Sequence, residues 1–185
     1  YPENIHIPQG VHVIGASANR VVMTGDAARP IVEMEDYTLL KGVSIESAGI
    51  GIRCLRAKRS IAIRNVILRR MGDKGIEVQP EAQVHISNLT GYNNTIGIYV
   101  EATGMAEVNN SIFSNDLNYG LYTEASGELK VQYSDLFFSR ANNVIFGPGI
   151  LHQDPLFYDP SRNNFYLRDE SPAIDAGDPD YPYYK

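Results

Sequence analysis

Glu101 and Glu124 stand 23 positions apart, and Tyr99 and Tyr122 repeat the same step two residues earlier. Arg53 and Glu77 fall close to the same register upstream. If that step returns the chain to one face of the fold a layer higher, the two carboxylates lie ~5 Å apart, the spacing of neighbouring strands. Carboxylates at that separation suit retaining glycoside chemistry or Ca²⁺ chelation. The tyrosine pair suits stacking on sugar rings. The plain alternative is an exposed strand face, on which Glu and Tyr are ordinary occupants. Arg53, Glu77, Tyr99, Tyr122, Glu101 and Glu124 therefore form a candidate carbohydrate-binding row, with no catalytic residue assigned.

A second row at the same period reads Ala62, His85, Glu107 and Lys130. Imidazole, carboxylate and ammonium in line have the composition of a proton-transfer set, but cross-strand charge pairing accounts for them without chemistry. Two further rows read Arg70, Asn93, Asn115, Phe138 and Met71, Asn94, Asp116, Ser139. They contain one carboxylate between them, too few for a Ca²⁺ site. Arg69 and Arg70 with Asp73 and Lys74 make the densest charged cluster, read as a solvated turn. No metal or cofactor is expected, and no G-x-S-x-G, H-E-x-x-H or phosphate-binding glycine loop occurs.

The elements that would position these rows are short apolar triplets separated by Gly and Asn. VHVIG ends at Gly15, LLKG at Gly42, IAIRN at Asn65, VHISN at Asn88, AEVNN at Asn110 and LKVQY at Tyr133, in steps of 27, 23, 23, 22 and 23 residues. A second landmark opens at Ile31, Ile52, Ile76, Ile98, Leu121 and Val144, with Gly75, Gly97 and Gly120 just before three of them. A period near 23 holding two or three strands of 3 to 5 residues is the signature of a solenoid whose strands stack on their equivalents one coil away. Inward columns follow: Ile52, Ile76, Ile98, Leu121, Val144; Cys54, Val78, Val100, Thr123, Phe146; and Ile63, Ile86, Val108, Val131. Asn65, Asn88 and Asn110 share one turn, where a short amide tolerates a left-handed backbone and can bond its neighbour above. They are expected to be a structural ladder.

Composition bounds the rest. A chain of 185 residues with 43% hydrophobic content suits one domain with a sizeable core. Its 22 acidic against 16 basic residues, a formal charge of -6, argue against a nucleic-acid partner. Cys54 alone makes no disulfide framework and reads as a buried thiol. No apolar run approaches the ~18 residues of a membrane span, and Tyr1 to Asn4 are not a signal peptide.

These repeats resemble the right-handed parallel β-helix (pectate-lyase-like) family over essentially the whole chain. YPENIHIPQGVHVIG, Tyr1 to Gly15, is similar to the stretch in which that family enters its first full coil. DPLFYDPSRNNFYLRDESPAIDAGDP, Asp154 to Pro179, resembles a closing segment of bacterial secreted β-helix proteins, with a strand at Asn164 to Leu167. The resemblance implies an all-β, single-domain right-handed solenoid of about six coils over 1–153, and a closing segment with a Tyr- and Pro-rich tail over 154–185. It also implies an extracellular or cell-surface protein. In the family an amphipathic helix and a Gly-Thr-Tyr turn precede the first coil, and Tyr1 starts where they would end.

The open first coil is thus expected to need a cover. Ile5 and Ile7 at that edge, with Tyr181, Tyr183 and Tyr184 in the tail, are the candidate contacts for head-to-tail self-association. The function expected is a non-catalytic structural or adhesive module, assembling end to end into a filament. The alternatives are a carbohydrate-binding module, or a polysaccharide lyase or glycosidase working on the outer strand face.

Overall fold

The computed structural model describes residues 3–25, 28–57 and 60–180. Tyr181, Tyr183 and Tyr184, expected to make assembly contacts, lie outside the described residues. The chain winds into a parallel β-solenoid. One wall is a seven-stranded sheet of Ile5–Ile7, Val32–Met34, Ile50–Cys54, Lys74–Val78, Ile96–Val100, Tyr119–Thr123 and Ala141–Asn142, hydrogen-bonded in that order. The other strands of the coils join in an eleven-stranded sheet. Its two longest members, Ile61–Arg69 and Gln83–Tyr92, run through a corner and so belong to two faces at once. Short strands were expected throughout, but these two have 9 and 10 residues because Asn65 and Asn88 turn the backbone at positive φ without breaking the ladder.

Alternation decides which side chains fill the interior. Ile52, Ile76, Ile98 and Leu121 pair in one column, Cys54, Val78, Val100 and Thr123 in the next, and Ile63, Ile86, Val108 and Val131 in the third. All twelve are buried. Sealing an aliphatic side chain of this size contributes ~1.5–3 kcal/mol, so each coil stabilises the one beneath it. Gly75 and Gly97 sit where a coil approaches its neighbour too closely for a side chain: a Cβ on either would run into the carbonyl of the equivalent glycine one coil on.

The last coil departs from the expected columns. Leu121 pairs with Ala141, not Val144, and Phe146 pairs with Val131 in the other sheet. The chain shortens this coil and its strands shrink to two residues, so Val144 only packs against the core and Phe146 is largely exposed. At the first coil, Ile7 is also placed differently. It pairs with Met34 and is 1% exposed, a core residue and not an edge contact, while Ile5 packs partly buried against the core. The apolar side chains exposed there are Val11 and Ile14.

The asparagine corner holds in backbone but not in bonding. Asn65, Asn88 and Asn110 have φ of 50, 54 and 51°, with Tyr133 at 47° above them. The left-handed backbone turns the first two amides outward into solvent, and among the described residues no amide of this row bonds the next. Asn110 Oδ1 instead accepts the Asp178 N–H at 2.7 Å, fastening the closing segment to the coils. That segment carries an antiparallel pair, Phe157–Asp159 with Asn164–Leu167.

Candidate functional site

The candidate row lies on the outward face of the seven-stranded sheet. Strand register aligns Glu33, Arg53, Glu77, Tyr99, Tyr122 and Asn142 on successive coils. Arg53 Nε donates to Glu77 Oε2 at 2.5 Å, and its Nη1 reaches Glu33 at 3.4 Å. Lys74, three residues before Glu77, donates to the other Glu77 oxygen at 2.7 Å. Burial alone would push the Glu77 carboxyl up, but two cations holding it outweigh burial and keep it below the usual carboxylate range. Lys74 and Arg53 are held above their ordinary values by the same contacts, against burial.

One coil on, Tyr99 donates its hydroxyl to Glu124 Oε1 at 2.5 Å, and Glu124 Oε2 accepts the Ala102 N–H at 2.9 Å. These two donors hold Glu124 down, and the same bond to Glu124, together with burial, pushes the Tyr99 phenol up. Glu101 differs from the rest of the row. Its carboxyl makes no hydrogen bond or ion pair among the described residues, and burial followed by the negative neighbours Glu77 and Glu124 raises it above the ordinary range.

The tyrosines stack on each other. The Tyr99 and Tyr122 rings are parallel within 1°, centroids 5.2 Å apart, and Lys74 Nζ lies 4.8 Å over the Tyr99 ring from the coil on the other side. Tyr119 packs against Tyr122 at 5.2 Å and 64°. Both faces of Tyr99 are therefore occupied, and the expected use of that ring as a sugar platform is not open to it; Tyr122 has one face on Tyr99 and Tyr119 packed at an angle beside it. The structure thus brings Arg53, Glu77, Tyr99, Tyr122, Glu101 and Glu124 onto one face, organised around a residue that the row did not include. The solvated turn expected at Lys74 is corrected: its ammonium is held by Glu77, and alternation could not have foretold the pair, because residues three apart on a strand point to opposite faces.

The second row is split into local pairs. His85 Nδ1 lies 3.1 Å from Glu107, whereas Lys130 turns to Glu128 on its own strand at 2.7 Å. In the Arg69 cluster, Arg69 and Arg70 share Glu46, and the Arg69 guanidinium is buried with Nε and Nη1 unpartnered, which lowers its affinity for the proton. The row Met71, Asn94, Asp116, Ser139 points inward. Asn94 accepts the Met71 N–H at 3.2 Å and donates to the Leu68 carbonyl and to Asp116 Oδ1, both at 3.2 Å. Ser139 Oγ donates to Asp116 Oδ2 at 2.8 Å. This is an interior polar ladder, one corner beyond the asparagines expected to form it. Beside Asn110 a second one runs through buried serines, the Leu89 N–H donating to Ser111 Oγ and the Ser111 N–H to Ser134 Oγ, both at 3.2 Å. Among the described residues no group of three or more His, Cys, Asp or Glu side chains is placed to hold a metal ion, and no helix is long and apolar enough to cross a membrane.

A family model described as Right handed beta helix region matches residues 8–153. The chain belongs to the right-handed β-helix family. No curated protein matches it. The match to this β-helix starts just after the strand Ile5–Ile7 and ends before Phe157–Asp159, so it accounts for the scaffold that carries the rows and not for a reaction on them.

Proposed function

We propose that this β-helix is a non-catalytic structural or adhesive module of an exported protein, whose rigid coils present polar rows to a surface or to further copies of itself. The observation that carries the reading is the engagement of the outer row: Glu33, Arg53, Glu77, Lys74, Tyr99 and Glu124 are each held by a neighbour, mostly on the next coil. A proton-transfer set needs groups free to change charge during reaction, and here a change of charge would break the ladder. Export is supported by the resemblance of the closing segment to those of secreted bacterial β-helix proteins. Self-association is supported by the strands Ile5–Ile7 and His12–Ile14, each of which pairs on one side only among the described residues.

One observation favours glycoside chemistry as a second reading. Glu101 and Glu124 follow the paired residues Val100 and Thr123 on neighbouring coils, with their carboxyls pushed in opposite directions, one up and one down, the pattern of an acid beside an ionised partner. Incubation with a broad panel of neutral and acidic polysaccharides separates the two. The module reading expects no new reducing ends and no unsaturated uronates. Release that disappears in Glu101→Gln would replace it with catalysis.

A further inference from the structure

Phe138 is costly to the fold in two ways. It is 74% exposed, and its backbone is left-handed at φ 49°. Equivalent turn positions one and two coils below are Asn115 at φ 59° and Asn93 at φ 53°. Asparagine adopts this conformation readily, whereas a bulky aromatic there is strained. Arg70 at φ 56° fills the same turn three coils below and Tyr133 at φ 47° the neighbouring corner, so the backbone alone does not single out Phe138; what sets it apart is an aromatic ring left 74% exposed. Phe137 packs beside it, centroids 4.3 Å apart at 53°, and holds the ring in place.

The ring stands at a cleft of about 440 Å³ between the turns of the upper coils and the closing segment, within the ~300–1,000 Å³ of small-molecule sites. Tyr92 on the coils packs edge-on against Phe157 and Phe165 of the antiparallel pair, so the far wall is fixed to the near one. Three polar groups line the cleft with oxygen or nitrogen to spare. Asp154 uses Oδ1 on the Leu156 N–H at 2.9 Å and keeps Oδ2. Asn115 donates Nδ2 to Ser114 Oγ at 2.9 Å and keeps its carbonyl oxygen. Arg168 is steadied by one bond to the Tyr158 carbonyl at 3.2 Å and by the Tyr158 ring at 5.7 Å.

We infer that this cleft binds a neutral pyranosyl unit of a glycan, with its apolar C–H face on Phe138 and its hydroxyls on Asn115, Asp154 and Arg168. A pyranose has one flat apolar face and a rim of hydroxyls, the same division as the cleft. The one carboxylate and one guanidinium balance, so the site has no net attraction for an anion. A wholly apolar ligand would leave both charges desolvated and unpaired. The inference goes beyond the module reading and concerns a different part of the molecule from the Tyr99 ring, both of whose faces are taken.

The test is isothermal titration of the full chain with neutral oligosaccharides of glucose, mannose and galactose, alongside uronic and sulfated counterparts. At least one neutral oligosaccharide is expected to bind, with affinity falling about tenfold or more in Phe138→Asn, the effect of removing one stacking surface. Asp154→Asn, which leaves the coils untouched, is expected to weaken the same ligand, and His85→Ala, on the far side of the Asn88 corner and outside the cleft lining, to leave it unchanged. Binding confined to acidic glycans overturns the inference. So does absence of neutral binding at millimolar sugar, or binding indifferent to both Phe138→Asn and Asp154→Asn.

Discussion

Asp116 ties the interior of the solenoid to pH. Burial pushes its carboxyl up to about 6 from an ordinary 3.8, although Asn94 and Ser139 pull the other way. Between those values the folded chain binds more protons than the unfolded one, so this group's contribution is fully present below pH ~4 and is lost as pH rises through ~6. The displacement corresponds to ~3 kcal/mol at most. Asp116→Asn keeps the shape and removes the titration. It is expected to exceed the parent in urea midpoint at pH 7 and to lose that advantage by pH 4; an equal difference at both pH values would remove Asp116 as the cause. Thr123 stands in a column otherwise filled by Cys54, Val78 and Val100, 1% exposed and with its hydroxyl unpartnered. Thr123→Val therefore gains ~1 kcal/mol of stability, read from the same denaturation curves.

The strands of the seven-stranded sheet stack as closely as they do because glycine precedes the inward residue. Gly97→Ala would press a methyl group on the Gly120 carbonyl and the Phe113 ring, a backbone clash with no soft side to yield. A loss of about 1–3 kcal/mol follows from overpacking, and a variant as stable as the parent would show that the coils can move apart there. Ile86 tests the opposite wall. It is 1% exposed between Ile63 and Val108, and Ile86→Asp would bury a carboxylate without a partner. The expected result is loss of the folded state by circular dichroism, since a defect in one coil deprives both neighbours of their packing surface.

For the molecule as a whole, the first coil matters most to association. Strands Ile5–Ile7 and His12–Ile14 leave backbone groups unpaired on one side among the described residues, and Ile14 beside them is 64% exposed. Either another segment of a longer chain or a second copy can complete such an edge. Light scattering is expected to find particles larger than one chain, and Ile14→Lys to reduce them to monomers by placing charge at the edge. Ile7 is unsuitable for that test because a lysine there would enter the core. A parent that stays monomeric at high concentration would end the self-association proposal.

The period near 23 was legible because stacked coils demand the same inward residue type at each turn, and the columns from Ile52 to Leu121 and from Ile63 to Val131 follow from it directly. The outward row from Arg53 to Glu124 was legible for the same reason, since alternation along a strand assigns faces without reference to anything distant. Partners within a row were not. Lys130 chose Glu128 over Glu107, and Tyr99 was enclosed by Tyr122 and Lys74, because side-chain reach in three dimensions selects among several candidates that a period makes equivalent. Turn residues escaped for a different reason. Asn88 and Asn94 look alike in the chain, but the backbone angles at each corner send one amide into solvent and the other into the core beside Asp116. The cleft at Phe138 exists only because the closing segment folds back on the coils through Tyr92, Phe157 and Phe165, a contact between stretches that no local pattern relates.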